Sequence, residues 1–187
     1  MTDAAAFAAA TALLLVDNQN DYFPGGAMEL EGADAAAGRA GAVLARFREL
    51  GAPVVHVRHE ALQPGATFFL PGTQGADIRA AVAPVPGEPV VTKAYPNSFR
   101  DTTLGARLQA AGAQRLVVCG MMTHMCVDAT VRAACDLGYA VTVAADACAT
   151  RKLVFAGRTV AAPDVQAAFL AALGAAYATV VDAADLL

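Results

Sequence analysis

Hydrophobic positions along this chain alternate between two kinds of segment. Short, nearly unbroken apolar runs occur at TALLLVD (11–17), PVVHVR (53–58), PVVTK (89–93), RLVVCG (115–120), AVTVAAD (140–146) and YATVVD (177–182). Strands covered on both faces read this way. Between them, DAAAGRAGAVLARFREL (34–50) sets Val43, Leu44, Phe47 and Leu50 at helical spacing, with Gly51 placed as a left-handed stop. The same logic predicts a helix over 101–112 with Asp101 as N-cap, one from about 123 to 137 closed by Gly138, and one over 163–176 with Pro163 in its first turn. Residues 59–87 are rich in Gly and Pro and predict a loop-rich active-site or interface region, with one short helical possibility at GADIRAAV (75–82). Strands alternating with helices predict an α/β fold: a three-layer αβα sandwich around a central, mostly parallel, six-stranded sheet, doubly wound in the Rossmann manner.

Length and charge narrow the picture. The 187 residues suit one well-buried domain spanning 1–187. Apolar residues make up 57% and charged ones 16%, much of the apolar share being alanine. The formal net charge is −4, and the Lys and Arg form no basic stripe, so neither nucleic acid nor an anionic membrane is expected as a partner. A small molecule fits better. The opening MTDAAAFAAATALLLVDNQ reads as a flexible or helical lead into the first strand; it lacks a basic leading region and its apolar run ends at Asp17. No stretch approaches the length needed to span a bilayer. Cys119, Cys126, Cys135 and Cys148 form no CxxC pair, so free thiols in a reducing cytoplasm are the expectation.

Ligands of open parallel sheets bind beyond the carboxyl ends of the strands. Three reactive side chains fall there: Asp17 closes the first strand, Lys93 the third, and Cys126 opens the helix after the fourth. Two readings of Cys126 stand side by side. A free cysteine is commonly a small buried hydrophobe; at a helix start, unpaired N–H groups lower a thiol's pKa and favour the thiolate nucleophile. Near that thiol, Asp17 would serve as base, and the Lys93 ammonium would stabilise thiolate and oxyanion. His124 lies two residues from Cys126 and faces away from it on a helix. His56 sits within a strand as buried structure, and His59, just past the second strand, is either a substrate contact or structural. With three histidines and no Asp-x-His pair, no metal site is expected.

Three blocks, LLLVDNQNDYF (13–23), KAYPNSF (93–99) and VVCGMMTHMCVDATVRAACDLGY (117–139), resemble in order the signature blocks of the isochorismatase-like cysteine hydrolases, the superfamily that includes nicotinamidases. The resemblance implies a catalytic triad of Asp17, Lys93 and Cys126, and amide hydrolysis through a thioester. It further implies a cis peptide joining Met121 to Met122 and an oxyanion hole from the N–H groups of Met122 and Cys126. Gln19 and Asp21 would brace the first block, and Gln19, Tyr22, Phe23, His59, Phe68 and Ser98 become candidate substrate contacts, Ser98 also orienting the lysine's loop. Phe69 joins Phe68 as a candidate aromatic wall. Two departures shape the expectation. VRHEALQPG (57–65) lacks the Asp-x-His metal cluster of nicotinamidases, so no cofactor or metal is expected, and His124 stands where nicotinamidases commonly carry Asp. Isochorismatases proper cleave a vinyl ether and typically lack the nucleophilic cysteine, so Cys126 favours a small amide substrate. The rival readings are a non-amide hydrolase on the same site and a redox-sensing thiol protein. The family also usually assembles, which predicts a homo-oligomer, dimer or tetramer.

Overall fold

The computed structural model describes residue 8 and residues 10–187, and the expected lead into the first strand falls largely outside these residues. The elements are β1 (Thr11–Val16), α1 (Ala33–Glu49), β2 (Val54–His59), β3 (Val90–Lys93), α2 (Leu104–Ala110), β4 (Arg115–Met121), α3 (Asp128–Asp136), β5 (Ala140–Ala149), β6 (Leu153–Phe155), β7 (Arg158–Val160), α4 (Ala162–Ala176) and β8 (Thr179–Val181). Six strands form one sheet in the order β3-β2-β1-β4-β5-β8, every pairing parallel. Helices flank it, as the alternating pattern predicts: α1 packs against β1, β2, β4 and β5, while α3 packs on β5 and α4 on β8. β1 is central, and all six of its residues are buried, which is why its sequence is an unbroken apolar run. Among the described residues no helix is long and apolar enough to cross a membrane.

Local chemistry departs from the predicted elements in several places. The helix expected from Asp101 begins at Leu104, because the Thr102 hydroxyl accepts the Leu104 N–H at 3.2 Å while Asp101 takes a left-handed φ of 55°. GADIRAAV is not an α-helix: two 3₁₀ turns, Gln74–Ala76 and Ala80–Val82, flank Ile78, which bridges to Gln19 instead. The helix expected over 123–137 divides into a π-turn, Thr123–Val127, and α3. Finally, β6 and β7 form a hairpin that the apolar pattern did not announce. Ala156 and Gly157 carry φ of 49° and 75° at its turn, the paired positive values of a tight hairpin.

Two features of the sheet set up its carboxyl edge. Strand order reverses between β1 and β4, which makes their ends the switch point where doubly wound sheets open a crevice. Strand β5 also breaks register on β4, Val118 pairing with Val143 but Gly120 with Cys148, so that β5 bulges beside the switch point. Gly120 is needed there. Its φ is 133°, and a Cβ at this position would strike the Val16 carbonyl of β1. Gly120→Ala is therefore expected to destabilise the protein by about 3 kcal/mol, through backbone strain and displacement of β1 together. Urea denaturation measures it, and a midpoint equal to wild type would contradict the close approach.

Candidate active site

Asp17 follows β1 directly, in a left-handed conformation with φ of 49°. Lys93 ends β3, two strands away, and its side chain reaches over the end of β2, so that Nζ lies 2.7 Å from Asp17 Oδ2. Both side chains are wholly buried. The same ammonium donates to His59 Nδ1 at 2.9 Å. His59 and Lys93 are register partners at the ends of adjacent strands, a juxtaposition that the sequence carried in the matching strand ends. Cys126 enters from the π-turn after β4 and is 5% exposed. Its sulfur, an Asp17 carboxylate oxygen and a His59 ring nitrogen all lie within 4.8 Å of one another. The Met121–Met122 peptide just ahead of this turn is cis.

Electrostatics correct the expected thiolate. Burial, and then the Asp17 carboxylate, push the Cys126 thiol well above its ordinary range, and Lys93 offsets only part of this. That direction favours the protonated thiol. Lys93 moves up as well: burial works against its charge, but Asp17 and Cys126 outweigh burial and keep it an ammonium. His59 is held below its usual value by burial and then by Lys93, so it stands neutral, with Nδ1 as acceptor. Asp17, His59 and Cys126 have the spacing of a metal-ligand set, yet the Lys93 ammonium already sits within hydrogen-bonding distance of two of them and acts as the cation of the cluster. Asp17 Oδ1, in contrast, is buried with no hydrogen-bond partner among the described residues.

Several candidate substrate contacts turn out to brace the site. Gln19 is fully buried; its amide accepts the His59 N–H at 2.7 Å and donates to the His59 and Ala76 carbonyls, both at 2.8 Å, so it fixes His59 and has nothing to offer a ligand. Asp21 braces as expected, accepting the N–H of Phe69 at 2.6 Å and of Ala27 at 3.2 Å. Phe23 belongs to the core, covered by the Arg79 guanidinium at 4.4 Å. Ser98 is buried, and its hydroxyl and N–H both meet the Thr130 hydroxyl, which ties the loop after Lys93 to α3. Tyr22, Phe68 and Phe69 do gather: Phe69 stands edge-on to Tyr22 at 4.6 Å, and lies 4.9 Å from Phe68 and 5.9 Å from the His59 ring. Burial, Cys126 and Asp17 all raise the Tyr22 hydroxyl's pKa, which places Tyr22 beside the cluster. His124 faces away, bonded through Nδ1 to the Thr150 hydroxyl at 2.5 Å, and His56 pairs with Glu88 at 2.8 Å inside the fold. A cavity of about 530 Å³ lies between α1, the end of β5 and the start of α4, and Asp17, Lys93 and Cys126 do not line it.

Comparison with known proteins gives the site its family. A model of the isochorismatase domain matches residues 11–185. An uncharacterized isochorismatase family protein of Bacillus subtilis, YddQ, is 50% identical over 170 residues, covering 91% of this chain and 94% of its own. Among solved structures, a protein of Oleispira antarctica assigned to the isochorismatase hydrolases superposes with a TM-score of 0.92 at 54% identity, over 95% of each chain. Several relatives are named for an activity. A streptothricin hydrolase of Streptomyces noursei is 42% identical over 82% of this chain and 52% of its own, and a maleamate amidohydrolase of Pseudomonas putida is 31% identical over 68% and 67%. The chain belongs to the isochorismatase family of hydrolases, a family that includes amidohydrolases.

Two outcomes follow from the cluster. Lys93→Met leaves the Asp17 carboxylate buried without its cation and is expected to lose about 3–5 kcal/mol of stability, whereas Asp17→Asn/Lys93→Met loses less; urea denaturation of both variants measures the difference. The second concerns acid. His56, His59 and His124 are all shifted down, chiefly by burial. The unfolded chain therefore takes up protons near pH 6.5 that the folded chain refuses, and stability is complete above about that pH and falls as pH drops through it. Denaturation at pH 7.5 and 5.5 reads this, and His59→Asn should flatten part of the decline.

Proposed function

We propose that this protein hydrolyses a C–N bond of a small amide through a thioester on Cys126, with Asp17 as the proton carrier. The observation that carries the reading is the division of labour on Asp17: Oδ2 is held by Lys93, Oδ1 is buried with no hydrogen-bond partner among the described residues, and a carboxylate oxygen of Asp17 lies within 4.8 Å of the Cys126 sulfur. A buried carboxylate oxygen without a donor is costly unless something brings it a proton. The thiol proton fills that role. As it moves to Asp17, the sulfur attacks the amide carbonyl, and the N–H groups of Met122 and Cys126 meet the oxyanion. Collapse breaks the C–N bond, and the departing amine takes the proton from Asp17. Water then attacks the thioester, gives a proton to Asp17 and releases the acid, and that proton returns to the sulfur. Lys93 keeps its charge throughout, stabilising each anionic stage, and neutral His59 holds one of its N–H groups in place.

The maleamate amidohydrolase among the relatives supports an amide substrate. A redox-sensing role, in contrast, calls for an exposed thiolate, and Cys126 is 5% exposed with its thiol shifted upward. Self-association belongs to the same proposal: Val154, Phe155 and Val160 of the β6–β7 hairpin are exposed apolar side chains that a second copy would cover. The test of the activity is ammonia release from a panel of nicotinamide, ureido compounds, carbamoyl amino acids and short aliphatic amides. A positive amide should lose all turnover in Cys126→Ala while the variant's thermal stability stays near wild type; turnover retained by that variant refutes the nucleophile.

A further inference from the structure

The π-turn that presents Cys126 is tied to the rest of the molecule by a residue more than thirty positions downstream. Thr123 opens the turn and is fully buried. Its hydroxyl lies 2.7 Å from Gln166 Oε1 and 3.2 Å from the Ala149 carbonyl. Gln166, in the first turns of α4, uses the other half of its amide on the β5 bulge, Nε2 donating to the Ala145 carbonyl at 3.1 Å and the Cys148 carbonyl at 3.3 Å. The amide orientation is set by the two carbonyls, which can only accept from Nε2, and this leaves Oε1 to accept the single Thr123 hydroxyl proton that the Ala149 carbonyl also faces. The same helix touches the turn a second time, where Phe169 meets the His124 ring edge-on at 5.9 Å. Within the turn the Met122 carbonyl accepts both the Met125 N–H at 3.0 Å and the Val127 N–H at 3.2 Å.

We propose that Gln166 is a positioning residue for Cys126. Resting on the nucleophile reading above, the proposal assigns the Gln166 amide the task of locking Thr123 to the β5 bulge, so that the sulfur three residues on is held against Asp17 and Lys93. Without that lock Thr123 keeps only the longer contact to Ala149, and the turn can rotate the thiol out of the cluster. A displacement of about 1 Å at a reacting atom is enough to cost about 10²-fold in rate.

The test uses p-nitrophenyl acetate as an acyl probe. A nucleophilic thiol takes its acetyl group, forming a C–S bond as the C–O bond breaks and p-nitrophenolate leaves, and the added acetyl mass identifies the cysteine. Gln166→Met and Thr123→Val should each slow acetylation of Cys126 by about tenfold or more, with acetylation of half-exposed Cys135 in the same molecules unchanged. The double variant should be no slower than the worse single, since both remove one contact, and Thr123→Ser should restore the rate. A wild-type rate at Cys126 in folded Gln166→Met overturns the proposal, as does equal slowing at Cys126 and Cys135, which would report general disruption. If Gln166→Met fails to fold, Thr123→Val against Thr123→Ser reads the same contact. Release of p-nitrophenolate no faster from wild type than from Cys126→Ala, with no acetyl on Cys126, removes the nucleophile reading itself, whereas a wild-type rate at Cys126 that persists in every variant removes Gln166 alone.

Discussion

The buried ion pair between Asp17 and Lys93 is the constraint around which the carboxyl edge of the sheet is arranged. Their strands are not neighbours, so the lysine must cross the end of β2 to reach its partner. Taking both charges out of water is expensive, and the pair persists only if its remaining hydrogen-bonding capacity is used. His59, at the end of the crossed strand, supplies an acceptor. Gln19 in turn fixes His59 from the backbone on both sides. The charges, the neutral imidazole and the amide form one connected unit spanning three strand ends.

That unit explains why a long, Gly- and Pro-rich segment is ordered. Residues 60–79 are stitched to residues 18–28 by main-chain and side-chain bonds: Asn20 N–H to the Asp77 carbonyl at 3.0 Å, Arg79 N–H to the Asn18 carbonyl at 2.8 Å, and Phe69 N–H to Asp21. The stitching presses Tyr22 and Phe69 over the cluster and keeps water from the ion pair. A dry environment strengthens the pair's mutual attraction and raises the thiol's pKa. Stability and chemistry therefore draw on the same burial.

Much of this was legible in the sequence because strand ends are. Asp17 and Lys93 each close an apolar run, and the parallel alternation of elements brings such ends to one edge, so their meeting follows from the fold. The π-turn and the upward shift of the Cys126 thiol were not legible in the same way. A thiol's pKa at a helix start depends on how deeply the start is buried and on which charges lie across from it, and Asp17 sits more than a hundred residues upstream. Gln19 and Ser98 read from the sequence both as braces and as ligand contacts; the partners they brace, His59 and Thr130, are set by tertiary packing. Gln166 carried no signal at all in its alanine-rich helix.

The left-handed backbone at position 17 has an evolutionary consequence. Few residue types rest comfortably there; Asn and Asp are enriched several-fold, glycine is free, and longer or branched side chains are strained. Glutamate carries the same carboxylate, yet it would have to enter a conformation that disfavours it and fit one more methylene beside the lysine. The neighbourhood of viable sequences around this position is therefore narrow for a reason that precedes any chemistry. An ancestral chain that drifted from aspartate to asparagine would keep the turn yet leave the Lys93 ammonium buried without its anion, whereas a chemically equivalent alternative to Asp17 would first have to rebuild the turn that carries it.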